Sequence, residues 1–104
     1  MSMEEKKLSK GLSITISPEV AEGVYSNLGI ISHSSSEFIV DFVRVMPQQP
    51  SAVVKSRIIL SPEHAKRLML ALSDNVRKYE AEFGEVKLHQ NPAEAMPPML
   101  GADA

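Results

Sequence analysis

Residues 11–17 alternate, with Leu12, Ile14 and Ile16 set against Ser13, Thr15 and Ser17. A period of two predicts a half-buried strand. Residues 24–32, 37–46 and 52–60 are rich in Val, Ile and Phe and predict three more strands. The polar run Ser32-His33-Ser34-Ser35-Ser36-Glu37 separates two of them, and Pro47 and Pro50 interrupt the next connection. Connections this short favour antiparallel neighbours.

A different period follows. Ala65, Leu68, Met69, Leu72, Val76, Tyr79 and Phe83 recur at spacings of three and four, which is one apolar stripe of a helix. Ser61-Pro62-Glu63 supplies a capping hydroxyl and a proline suited to the first helical position, and Gly84 suits the end. The same Ser-Pro-Glu chemistry at residues 17–19, closed by Gly23, predicts one short helical turn. A helix over residues 62–83 is roughly 33 Å long, and a nine-residue strand roughly 30 Å. One helix can therefore cover the sheet along its length. The expected fold is α+β: a four-stranded antiparallel sheet, β-β-β-β-α, with the C-terminal helix packed on one face. Residues 1–10 read as a disordered lead-in, 11–86 as a single domain and 87–104 as a disordered tail rich in Pro, Met and Ala, with room for a short motif around residues 97–100.

Asp41 stands between Val40 and Phe42 in the third predicted strand. Matching apolar positions across the 47–51 loop sets Phe38 opposite Leu60, Val40 opposite Ile58 and Asp41 opposite Arg57. Placing Leu28 and Ile30 on the face of Val40 and Phe38 sets Asn27 opposite Asp41. The expected result is a polar row Asn27–Asp41–Arg57 on the odd-numbered face, with the helix over the even-numbered one. The odd face is too apolar for open solvent, so a second copy or another protein is expected to cover it. Tyr25, Asn27, Ile39, Asp41, Val43, Lys55 and Arg57 are the candidate interface residues.

Composition narrows the function. The chain has 104 residues, a single-domain length, with 11 basic and 13 acidic residues and a net charge of −2. That balance, with 5% aromatic residues and no Trp, argues against a nucleic-acid surface. There is no Cys, which removes thiol chemistry and fits a cytoplasmic setting. No segment reads as a signal peptide or a membrane span.

Candidate chemistry is thin. Asp41 as a catalytic carboxylate would need a partner acid or a base and a cleft, whereas Arg57 lowers its pKa; a paired structural ion at an interface is the stronger reading. His33 beside three serines and Glu37 lacks the Gly-x-Ser-x-Gly elbow of a hydrolase and reads as a solvated turn. His33, His64 and His89 show no ligand spacing, so no metal is expected. The scattered glycines make no phosphate loop, so no cofactor and no small-molecule substrate is expected either.

Three stretches, "PEVAEGVYSNLGIISHSSSEFIVDF", "KSRIILSPEHAKRLMLALSDN" and "YEAEFGE", resemble domain of unknown function family 3467, a family of short bacterial and archaeal proteins. The resemblance carries no catalytic role; it suggests a partner in transcription. The topology is also similar, more loosely, to secretion chaperones of the SecB type. The expected function is therefore a non-enzymatic protein-interaction module, a homodimeric accessory or adaptor subunit of a larger cytoplasmic machine. The alternative is a SecB-like chaperone that holds unfolded chains. An enzyme ranks last.

Overall fold

A computed structural model describes residues 4–7, 11–48 and 50–89. The elements run β1 (Glu4–Lys7), β2 (Ser13–Ile16), α1 (Pro18–Ala21), β3 (Leu28–His33), β4 (Phe38–Arg44), β5 (Val53–Leu60) and α2 (Pro62–Phe83). The fold is α+β, with a three-stranded antiparallel sheet in the order β3-β4-β5 and one long C-terminal helix. The expected fourth strand of that sheet is a correction. The alternating segment around Ile14 forms β2, but β2 pairs with β1, from Glu4↔Ile16 to Lys7↔Ser13, in a separate two-stranded ladder. Ser17 and Pro18 end β2 by starting α1, and Gly23 at φ 80° turns the chain again before β3. With a helical turn between them, β2 and β3 cannot form a hairpin, and β1 is the nearest antiparallel neighbour. Glu4–Lys7 thus falls inside the stretch read from sequence as a disordered lead-in. The tail expectation lies, beyond residue 89, outside the described residues.

The helix ends follow the capping chemistry. The Val20 N–H donates to Ser17 Oγ at 3.3 Å, and the His64 N–H donates to Ser61 Oγ at 3.2 Å. Gly84 closes α2 at φ 97°, and its N–H donates to the Glu80 carbonyl. Ser61→Ala is expected to lower stability by about 1 kcal/mol, the worth of a hydroxyl N-cap. A urea titration followed by helical circular dichroism checks it, and an unchanged midpoint would contradict it.

Register decides the faces. β4 pairs β5 with Phe38↔Leu60, Val40↔Ile58 and Asp41↔Arg57, as the apolar parity predicts. The ladder then shifts: Phe42 faces Ser56 but Val43 faces Val54, so Lys55 is an extra residue in a bulge. β3 pairs β4 with Leu28↔Val43, Ile30↔Asp41 and His33↔Phe38. Directly paired residues share a face. One face therefore carries Leu28, Ile30, Ile39, Asp41, Val43 and Arg57; the other carries Ile31, Phe38, Val40, Phe42, Ile58 and Leu60.

The intrachain core is small. Among the described residues Val43 (0% exposed) and Val45 (6%) are the buried hydrophobic side chains. Among the described residues α2 buries none of its side chains and makes no extended contact with a strand. The expected packing of the helix over its own sheet is a second correction. Its physical cause is the connection. Ser61 alone joins β5 to α2, in an extended conformation at φ −67°, ψ 156°. Strand–helix connections that fold back usually take about 2–6 residues. The helix leaves the sheet where β5 ends, with Leu68, Met69, Leu72, Val76, Tyr79 and Phe83 exposed.

Candidate functional site

Asp41 and Arg57 face each other at the centre of the β4–β5 ladder and form a two-pronged ion pair. Arg57 Nε donates to Asp41 Oδ1 at 2.7 Å and Arg57 Nη2 to Oδ2 at 2.9 Å. The carboxylate is largely covered, with its side chain 14% exposed, while the guanidinium stem and head lie open at 61%. The hydrogen bonds from Arg57 hold the Asp41 carboxyl below its usual 3.8; partial desolvation opposes this and the Arg57 charge reinforces it. A carboxylate held ionised by a forked partner is a poor proton donor or acceptor near neutral pH. It is a fixed charge pair suited to holding two strands and to reading a complementary surface.

A depressed carboxyl pKa contributes stability above the unfolded-state value and loses it as pH falls through the folded-state value. The Asp41 contribution is thus present at neutral pH and lost below about pH 4. Asp74, lowered by hydrogen bonds from Arg77 and Lys78, adds to the same acid limb. Asp41→Asn is expected to melt below the wild type at neutral pH, with the gap closing as pH falls below about 4. Melting curves of both proteins across this range check it, and a gap independent of pH would contradict it.

The third member of the expected polar row is elsewhere. Asn27 does not oppose Asp41; Ile30 does. The Ser34 N–H bonds the Glu37 carbonyl at 2.9 Å, so the turn takes residues 34–37 and His33 still pairs with Phe38. That placement moves β3 by three positions against β4, an odd number, and turns Leu28 and Ile30 to the Asp41 side. Asn27 instead extends the ladder with its side chain. Its Nδ2 donates to the Val45 carbonyl at 3.0 Å, and the Val45 N–H donates to Asn27 Oδ1 at 2.8 Å. The Asn27 N–H donates to the Val43 carbonyl at 3.1 Å, and Ser26 Oγ reaches the same carbonyl at 3.0 Å. Ser26 and Asn27 therefore clamp the backbone on either side of the two buried valines. A Ser-Asn pair just ahead of a strand was the available sequence signal.

The remaining candidates divide. Tyr25 is exposed and Ile39 is half-buried, whereas Val43 is already covered within the chain and so offers no free contact. Lys55 projects at the bulge and is exposed. His33 stacks on Phe38 with ring centroids 5.3 Å apart, and His64 sits in the first turn of α2. Among the described residues no group of three His, Cys, Asp or Glu side chains could hold a metal ion, and no helix is long and apolar enough to cross a membrane.

The family model of a protein of unknown function (DUF3467) matches residues 1–88. The chain belongs to that family. No curated protein and no solved structure matches it. The Ser26–Asn27 clamp, the Asp41–Arg57 pair and the Ser61 cap all lie within the matched residues. Each of these has a structural job.

The apolar stripe of α2 is a second candidate surface, one that sequence reasoning assigned to the core. Its polar side is tied by ion pairs from Arg67 to Glu63 and from Arg77 and Lys78 to Asp74. Pairs this exposed contribute tenths of a kcal/mol, roughly, so they orient the helix toward water rather than stabilise it. Past the helix, the Val86 N–H donates to Glu80 Oε2 at 2.9 Å. Val86 thereby closes one wall of an open apolar cleft of about 410 Å³ with Asn75, Val76 and Tyr79. Tyr79 and Phe83 lean together with centroids 5.0 Å apart.

Proposed function

We propose that this chain is a non-enzymatic protein-interaction subunit, active as a homodimer and serving as an adaptor in a larger cytoplasmic machine. One observation carries the reading: two valines form the buried apolar core of the described residues, while the α2 stripe from Leu68 to Phe83 and much of both sheet faces stay open. A chain of this length ordinarily buries more than half of its unfolded surface, and large contiguous apolar patches mark interfaces. The Asp41–Arg57 face is the surface offered to the partner, with the exposed Tyr25 and Lys55 as further contacts. Size-exclusion chromatography with light scattering, joined to affinity capture and identification of bound proteins, tests the proposal. A monomer that captures nothing overturns it. Proteins of the transcription apparatus, which the family resemblance suggests, are the first candidates to look for in the captured set.

The same open apolar surface also favours a second reading, a chaperone that holds unfolded chains. Suppression of a model client's aggregation at near-stoichiometric ratios separates the two. An adaptor leaves aggregation unchanged.

A further inference from the structure

Two halves of one core lie unjoined in this chain. The α2 stripe is a helix face built to cover a sheet. The Ile31–Phe42–Ile58 face of β3-β4-β5 is a sheet face built to be covered. The single residue Ser61 keeps the two apart. Leu68, Met69, Leu72, Val76, Tyr79 and Phe83 of the stripe, with Ile31, Phe42 and Ile58, are each between 38% and 67% exposed. Taken at roughly 150 Å² each, the low end of the aromatic range, they expose roughly 700 Å² per copy. A specific interface buries about 600–1,000 Å² per partner.

We propose that a second copy of this chain supplies the cover by exchange. The α2 helix of each protomer lies across the Ile31–Phe42–Ile58 face of the other, and the two contacts are related by a two-fold axis. The proposal rests on the homodimer reading and adds which surfaces meet. A second copy fits better than a foreign chain because both complementary surfaces are on the same molecule, in equal number. A two-fold arrangement satisfies both at once: residue i meets j, and j meets i. The helix, 22 residues long, is roughly 33 Å from end to end and outspans the eight residues of β5. The polar side of α2, with Arg67, Asp74 and Lys78, is then left facing water.

The chain has no Cys, so introduced thiols report contacts cleanly. Copies carrying Leu72→Cys are refolded together with copies carrying Ile58→Cys and treated with a short bis-maleimide. Cross-linked peptides are then identified by mass spectrometry. Exchange predicts that links between positions 72 and 58 form in the mixture at least tenfold above those formed by either variant alone. Val76→Cys with Ile31→Cys is the second pair, used if either first variant loses the wild-type circular dichroism spectrum. A dimer that links 72 to 72, or 58 to 58, in place of 72 to 58 overturns the exchange and leaves the homodimer standing. A monomer by light scattering overturns both.

Discussion

Leu72→Glu is expected to raise the dissociation constant of the homodimer by roughly a thousandfold. Leu72 is 62% exposed within one chain and lies in the middle of the α2 stripe. Full burial of a leucine is worth about 2 kcal/mol, and a two-fold assembly loses it twice. About 4 kcal/mol corresponds to that thousandfold change. A carboxylate placed against apolar neighbours adds a desolvation cost on top. Sedimentation equilibrium across a concentration series measures the effect. Lys78→Gln, on the polar side of the same helix, serves as the control and should leave the constant unchanged. If α2 faces water in the working molecule, Leu72→Glu will be as silent as the control.

Asn27→Leu is expected to destabilise the fold by about 2–6 kcal/mol, since two backbone groups lose their partner and each costs roughly 1–3 kcal/mol when left unpaired away from water. The leucine fills the space but can neither accept from the Val45 N–H nor donate to its carbonyl. Val45 is 6% exposed, so water does not readily replace the amide. Urea unfolding at fixed protein concentration, with the slope unchanged from wild type, reads the loss. A shift below about 1 kcal/mol would show that water takes over both bonds.

What could be read from the chain alone depended on whether the signal was local. The spacing from Ala65 to Phe83, the Ser61 hydroxyl, Pro62 and Gly84 all act within a turn or two, and α2 begins and ends at the residues they imply. The Asp41–Arg57 pairing was legible because β4 and β5 match apolar positions on both sides of one loop. The β3–β4 register was not, because parity offers two solutions and only the Ser34–Glu37 hydrogen bond selects between them. A hairpin turn that closes later in the chain moved Asn27 from Asp41 to Val45. The helix stripe was read correctly as an apolar surface and wrongly as one already covered. Periodicity reports which side chains seek burial; it does not report whether the cover comes from the same molecule.

The bulge at Lys55 has a meaning in terms of gene length as well as geometry. Val54 already faces Val43 and Ser56 already faces Phe42, so the ladder would run unbroken if Lys55 were absent. In the language of insertions and deletions, Lys55 is a spare letter. Its removal is expected to leave Val53, Val54 and Ser56 on the faces they now occupy, at the cost of local strand twist. One more residue inserted beside it has no such slack, and turns one end of β5 over. The strand that leads into α2 therefore tolerates shortening at this point and resists lengthening. A pair of variants, one with Lys55 deleted and one with a second residue inserted after it, would show the asymmetry directly in their yields of folded protein.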